Sequence, residues 1–207
     1  MAEEKISYGL TTKERIKDRI GLTTSNFDTL LDRLIAAATD IIESECGGRR
    51  FKETTYTNEV YSIYNSQQKM VALKNIPIGT VTAVQYRAGL KSNPNWTDFN
   101  TDDWEVVTDG KSGLIKIWGI PHDINQLRVS YTAGFTIDFS NAGTSSHTLP
   151  ADLSDMAERL TIKLFKKREN EGKLSETFEG TTVQWKELFD EIDNNTLARY
   201  RRLPEFI

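Results

Sequence analysis

The chain has 207 residues, of which 38% are apolar, and its 4 Trp, 9 Phe and 7 Tyr are sufficient for a globular core. A mean hydropathy of -0.49 and the lack of a long apolar run argue against a membrane-spanning helix. The 26 basic and 30 acidic residues give a net charge of -4 and are balanced along the chain, which argues against tight binding of a phosphate backbone.

Two helices are predicted within the first 50 residues. A short one follows a capping residue, Thr11 or Thr12. The second is the clearest element of the chain, and we expect it to begin at a cap on Thr24 or Ser25 and to end at the glycines 47–48. Its apolar residues recur at the i, i+3, i+4, i+7 spacing of an amphipathic helix: Phe27, Leu30, Leu31, Leu34, Ile35, Ala38, Ile41 and Ile42.

The pattern changes to short strands after Phe51, where Tyr56, Val60 and Tyr64 alternate with polar residues as on one face of a strand. The strongest hairpin signal is the glycine pair 110 and 113, which supplies positive φ angles between two apolar runs. Six strands at this spacing fit a small antiparallel sheet or a barrel-like unit. Besides the strand that follows Phe51, strands are predicted at Met70–Leu73, Val81–Arg87, Trp104–Val107, Leu114–Ile117 and Leu127–Thr132.

The last third of the chain returns to helical periodicity. Residues 138–149 are rich in Ser, Thr, Asn and Gly and are predicted to form a linker. Pro150 suits the first turn of the next helix, which is expected to end at Gly172. A polar connection over residues 173–182 then leads to a final helix that runs from Trp185 through Leu197.

Helical ends around a strand-rich middle predict an α+β fold. We expect residues 1–50 and 150–207 to form one helical body, because the apolar stripes at the two ends must be buried against each other. Residues 51–149 would then be a small antiparallel β insert.

No catalytic, cofactor or metal site is predicted, and we do not expect an enzyme. Residues 110–112, Gly-Lys-Ser, lack the earlier glycine and the following helix of a phosphate-binding loop. The acids Asp98, Asp102, Asp103 and Asp109 lack the glycine and terminal glutamate of a calcium loop. Two histidines and one cysteine do not supply a metal site in a convincing context. A small hydrolase that uses unrecognised acids is kept as a third hypothesis.

Two basic segments are candidate contact sites. The C-terminal arginines stand before an apolar chain end, which is expected either to fold back or to dock on a partner. The densest basic run is a weak candidate for proximity to DNA, although its place at a helix C-terminus favours compensation of the helix dipole. That run consists of Lys163, Lys166, Lys167 and Arg168.

The order of these segments resembles the head-to-tail connector family of tailed bacteriophages and prophages, also called adaptor or head completion proteins. The resemblance covers about residues 8–202. It rests on PIGTVTAV at Pro77–Val84, VSYTAGF at Val129–Phe135 and the helix that begins with LPADLSD at Leu149. These are structural signatures rather than catalytic ones.

The resemblance implies a virion structural protein at the head-tail junction, and the polar N-terminus without a secretory signal is consistent with synthesis in the host cytoplasm. It implies a dodecameric ring under the portal protein. The ring would extend the channel through which DNA passes without sequence recognition, and would give the stopper or tail-completion protein its docking surface. Portal docking is expected from the C-terminal segment: Arg199, Tyr200, Arg201, Arg202, Leu203 and Phe206.

The residues alone also permit a protein of a different class, a monomeric carbohydrate- or protein-binding module. Its site would be built from aromatic side chains of the strand-rich region, which otherwise serve as core. These residues are Tyr56, Tyr61, Tyr64, Tyr86, Trp96, Trp104 and Trp118.

Overall fold

The computed structural model describes residues 8–63, 70–88, 95–118, 124–141, 147–167, 175–178, 181–184 and 189–201. Helices and antiparallel sheets are both present, which confirms the α+β fold class. By their contacts the described residues form two compact units, a helical unit up to Gly48 and from Ile137 to Arg201, and a β unit from Arg49 to Thr136. The predicted domain division at 50 and 150 stays a prediction, since compactness does not show which part folds alone.

The helical unit contains four described helices and a β-hairpin. The helices are α1 (Lys13–Ile20), α2 (Asp28–Glu45), α3 (Ala151–Lys167) and α4 (Glu191–Tyr200). Its core lies where α2 packs against α3, with α1 across both. The buried apolar residues of α2 and α3 recur at helical spacing, as the sequence predicts: Leu31, Ile35, Ala38 and Ile42 on α2, and Leu153, Met156, Ala157 and Leu160 on α3.

The start of α1 is predicted correctly and the start of α2 is not. Thr12 caps α1 by accepting a hydrogen bond from the Arg15 backbone, and Gly21 ends the helix with φ 69. The predicted caps of α2 are wrong, because the helix begins after Phe27 without a side-chain cap. A backbone turn replaces the cap there, with the Asp28 amide 3.1 Å from the Ser25 carbonyl.

The C-terminal part of the helical unit differs most from the sequence prediction. The predicted polar connection contains a hairpin of β8 (Ser175–Phe178) and β9 (Thr181–Gln184). The final helix begins at Glu191 rather than at Trp185, because Asp190 forms a capping box with Asp193. Gly172, Trp185 and Leu188 lie outside the described residues.

The predicted linker is partly folded within the helical unit. A short 3₁₀ turn spans Phe139–Asn141, and the Phe139 ring lies 4.9 Å from the His147 ring. The Arg15 guanidinium of α1 stands 5.5 Å from the centre of the same Phe139 ring. The described residues of this segment therefore pack against α1 instead of forming a plain connection.

The β unit consists of two antiparallel sheets. The first has four strands in the order β1-β7-β3-β4, and the second has three in the order β2-β6-β5. One core contains buried residues of both sheets, among them Ile115 of β6 and Val129 of β7. The strands are β1 (Thr54–Ser62), β2 (Met70–Ala72), β3 (Ile78–Ala88), β4 (Thr97–Asp98), β5 (Trp104–Val106), β6 (Leu114–Ile117) and β7 (Ile124–Ala133).

The alternation predicted for β1 is interrupted by a bulge. Asn58 has φ 58, and the pairing with β7 shifts between Tyr56 and Glu59. Val60 is therefore 43% exposed, whereas Tyr61 is 7% exposed. Tyr64, the third residue of the predicted face, lies outside the described residues.

The predicted hairpin is confirmed as β5 pairing with β6. Gly110 and Gly113 have φ 78 and φ 71, and a Cβ on Gly110 would lie 2.1 Å from the Ile78 carbonyl oxygen. The Ser112 hydroxyl donates to the Val107 carbonyl at 3.1 Å within the same connection. The Gly-Lys-Ser run thus belongs to a strand connection rather than to a phosphate-binding loop.

Candidate docking surface

The start of α4 is fixed by a reciprocal pair of hydrogen bonds. The Asp193 amide donates to Asp190 Oδ1 at 2.9 Å, and the Asp190 amide donates to Asp193 Oδ2 at 3.2 Å. The bond from the Asp193 backbone lowers the pKa of the Asp190 carboxyl, with a smaller contribution from Lys163. The direction of α4 at its start is therefore set by the hydrogen bonds between Asp190 and Asp193.

Two ion pairs hold α4 against α3. The Asp193 side chain is 4% exposed and lies 2.9 Å from Arg159 Nη2 and 3.0 Å from Lys163 Nζ. Leu197, one turn further along α4, is fully buried. The helix thus combines one apolar contact with a nearly buried carboxylate that faces two cations, which is a stable arrangement only while the charges remain paired.

The end of α4 is anchored at the start of α3. The Tyr200 hydroxyl donates to Asp152 Oδ1 at 2.8 Å, and Arg199 Nη2 lies 3.0 Å from Asp152 Oδ2. Arg201 stands 3.9 Å from Glu45 at the end of α2. Of the predicted docking residues, Arg199 and Tyr200 end a helix that folds back on the helical unit, and Arg201 follows it directly. The other three, Arg202, Leu203 and Phe206, lie outside the described residues.

Folding back does not bury the basic groups at the end of α4. The side chains of Arg199 and Arg201 remain 64% and 55% exposed. Each guanidinium has five N–H donors, so one contact to a carboxylate leaves others for a partner. The end of α4 is therefore a fixed, basic and accessible position on the helical unit.

The basic run predicted near DNA is only partly accessible. Lys163 Nζ lies 3.0 Å from Asp193 and 3.5 Å from Asp190, so its charge is compensated within the unit. Lys166 and Lys167 are exposed in the last turn of α3, and Arg168 lies outside the described residues. Among the described residues of this run, Lys166 and Lys167 are thus exposed and Lys163 is half-buried.

The sequence reasoning missed a second set of ion pairs, between α1 and α3. Glu158 is 7% exposed and lies 2.7 Å from Arg15 Nε and 3.0 Å from Arg19 Nη1. Asp155 lies 2.5 Å from the same Arg19 atom, and this contact is the main cause of the raised pKa of Arg19. The sequence signal was that Arg15 and Arg19 on α1, and Asp155 and Glu158 on α3, each lie one turn apart. This spacing by itself does not tell which helices meet.

The aromatic residues of the binding-module hypothesis do not form one surface. Tyr56, Tyr61, Tyr86 and Trp104 belong to the core of the β unit. Trp118 is 54% exposed, Trp96 is half-buried, and Tyr64 lies outside the described residues. Most of the proposed binding residues therefore pack in the core, which is the alternative role that the sequence analysis gives them.

The part of the chain that the structure describes contains no group of three or more His, Cys, Asp or Glu residues that could hold a metal ion. A search of the same residues finds no helix that is long and apolar enough to span a membrane. Cys46, the single cysteine, is free and buried.

Comparison with known proteins adds one match. The family model described as head completion protein matches residues 9–203, nearly the whole chain. None of the curated proteins compared with the chain is similar enough to count as a match.

Proposed function

The chain belongs to the head completion protein family, and on that premise we propose that it forms a ring beneath the portal protein. Its role in phage head completion is structural. The ring extends the channel for DNA and offers a docking surface to the stopper or tail-completion protein. Made in the host cytoplasm, the protein reaches its place at the head-tail junction of the virion.

Portal docking is assigned to the end of α4 and the residues that follow it. The observation that carries this assignment is the shared anchor at Asp152, which fixes Arg199 and Tyr200 and leaves the arginine 64% exposed. A rigid basic position loses little conformational entropy on binding. Arg201, Arg202, Leu203 and Phe206 continue the same segment and complete the proposed contact.

DNA is proposed to pass through the ring without being bound tightly. The net charge is -4, and Lys163 is neutralised by Asp190 and Asp193. Few contacts with phosphates mean a weak attraction that depends little on salt, which suits passage of the genome. Lys166 and Lys167 are the described residues of this run that remain for such transient contact.

The docking proposal is tested by binding to purified portal rings. A chain that lacks residues 202–207 and the variant Arg199→Ala with Arg201→Ala are compared with the unaltered protein. Both arginine ion pairs are largely exposed, so the substitutions should cost less than about 1 kcal/mol of folding stability. Lys166→Ala with Lys167→Ala is the matched control, since it also removes two exposed cations.

We expect at least about tenfold weaker portal binding for the truncated chain and for the arginine variant, and unchanged binding for the lysine control. Circular dichroism checks that each variant is folded. Equal binding by all four proteins would show that the portal contacts another surface.

A further inference from the structure

The outward face of the four-stranded sheet carries a basic and aromatic cluster. On β3 and β7 the buried residues Val84, Leu127 and Val129 point to the core. Their neighbours point the other way, because successive side chains of a strand alternate. Gln85 is paired with Arg128 and Arg87 with Gln126 in this outward layer.

Trp96 lies between two of these cations. The guanidinium of Arg87 is 5.0 Å from the centre of the Trp96 ring, and that of Arg128 is 4.5 Å away. We call Arg87, Trp96 and Arg128 the Arg–Trp cluster. Trp and Arg are the residue types that most often dominate protein–protein interfaces.

Hydrogen bonds hold the Arg–Trp cluster in a defined geometry. Arg128 Nε donates to Gln85 Oε1 at 2.8 Å, and Gln85 Nε2 donates to Asp98 Oδ1 at 2.7 Å. Arg87 donates to Gln126. Two cations with one nearby carboxylate thus form a fixed surface that favours a partner with acidic and small side chains.

The helical unit has a surface of that chemistry on α2. Ala37 and Asp40 are exposed and Ala36 is half-buried beside them, and Asp40 forms no ion pair with any residue that the structure describes. Small residues let a bulky ring approach the helix closely. We call Ala36, Ala37 and Asp40 the α2 face.

An open cavity of about 390 Å³ adjoins the α2 face. Ile35 and Ala36 give it apolar walls, and Glu14 and Asp32 add carboxylates at its border, with Lys13 paired to Asp32. Arg33 is also exposed, about 10 Å before Asp40 along the helix axis. Asp40 therefore supplies the carboxylate of the α2 face, about two helical turns beyond Arg33.

We propose that the Arg–Trp cluster of one copy docks on the α2 face of a second copy. This inference rests on the proposed ring and names its subunit contact. The contact is heterologous, because the two surfaces are different and each copy keeps one of each kind for a further neighbour. Charge complementarity between Arg128 and Asp40 sets the register of the pair.

Charge reversal tests the contact, with self-association followed by sedimentation velocity over a concentration series. Arg128→Glu and Asp40→Arg should each weaken association of the purified protein by about tenfold or more. An equal mixture of the two variants should associate again, because each supplies the surface that the other lacks. Arg33→Glu is the control on the same helix and should not weaken association.

A cysteine pair detects the same contact when association is weak. Cys46 is fully buried, so new thiols on Ala37→Cys and Gln126→Cys are the reactive ones. Oxidation of a mixture of these single variants should give a disulfide-linked dimer, whereas Ala37→Cys mixed with Lys167→Cys should not.

The inference is overturned if the charge variants associate like the unaltered protein, or if no linked dimer forms and the unaltered protein stays monomeric. These readouts are independent of the portal assay. Portal binding that is retained while both association tests fail would remove the proposed subunit contact and leave portal docking in place. The reverse result would remove portal docking alone.

Discussion

Arg159 Nη2 and Asp193 Oδ1 lie 2.9 Å apart, at a place where the aspartate side chain is only 4% exposed. Lys163 reaches the other carboxylate oxygen at 3.0 Å. One nearly buried anion therefore links α4 to two turns of α3. Removing it would leave the two cations without the partner that compensates their partial burial.

We accordingly expect Asp193→Ala to be strongly destabilising for the attachment of α4. The loss should be about 2–4 kcal/mol in the free energy of unfolding, less than for a fully buried pair because both cations are partly exposed. Denaturant unfolding measures it, and limited proteolysis near α4 shows where it acts. Asp18→Asn, an exposed acid of α1, is the control and should change stability by less than about 0.5 kcal/mol.

Gly110 is predicted to be the least replaceable glycine of the β5–β6 hairpin. Its φ is +78, and a Cβ would lie 2.1 Å from the Ile78 carbonyl oxygen, so alanine must displace backbone. Gly110→Ala should cost more than about 3 kcal/mol. Gly48→Ala is the matched control: φ is +72 with nothing within 4 Å, so strain alone should cost about 1–2 kcal/mol. Equal losses in thermal or denaturant unfolding would refute the clash.

Tyr61 and Tyr131 make the β unit sensitive to alkaline pH. Both hydroxyls donate to Glu59 Oε2, at 2.6 Å and 2.7 Å, and burial is the main cause that raises the pKa of each phenol well above 10.0. Because the folded pKa is raised, this stability is fully present below about pH 10 and is lost as the pH rises toward the folded value.

Unfolding experiments over an alkaline pH series measure this effect. The free energy of unfolding should fall above about pH 10, and Tyr61→Phe should reduce the slope by about one proton. Tyrosinate absorbance supplies the independent readout, since these two phenols should ionise only together with loss of structure. Ionisation of all tyrosines in the intact fold would contradict the prediction.

Local signals were sufficient for several elements of the fold. The Thr12 cap and the αL glycine at 21 define α1, and the glycines of the β5–β6 connection define its hairpin. In each case the deciding hydrogen bond or φ angle lies within a few residues of the signal. Sequence reasoning works there because local propensity and tertiary structure agree.

The features that sequence analysis missed depend on contacts between residues that are far apart in the chain. Arg19 and Asp155 are 136 residues apart, so no local spacing shows that they meet. The bulge at Asn58 appears only when β1 is aligned with β7. Half of the candidate docking residues could be located. Arg199 and Tyr200 proved to be anchored to Asp152 by contacts that the chain end alone does not suggest.

Low pH is expected to weaken the cap at the start of α4. The Asp193 amide bond is the largest cause of the lowered pKa of Asp190. A depressed folded pKa contributes stability above the ordinary value of 3.8, and that contribution is lost as the pH falls through the folded value. NMR titration should give the Asp190 carboxyl a pKa below its ordinary value of 3.8. Asp190→Asn should keep the cap hydrogen bond but remove this part of the acid dependence. A midpoint at or above 3.8 would refute the assignment.

The α1–α3 ion pairs offer a test of whether partial burial strengthens a charge contact. Glu158 is 7% exposed and Arg19 is 38% exposed, so a double-mutant cycle of Arg19→Ala and Glu158→Gln should give a coupling of about 1 kcal/mol after allowance for solvent screening. The exposed pair of Lys13 and Asp32, whose side chains are 32% and 57% accessible, is the control and should couple far more weakly. Raising the salt concentration should remove the control coupling first, because buried charges are screened less. Equal couplings that vanish together with salt would show that burial of Glu158 adds nothing to the contact between α1 and α3.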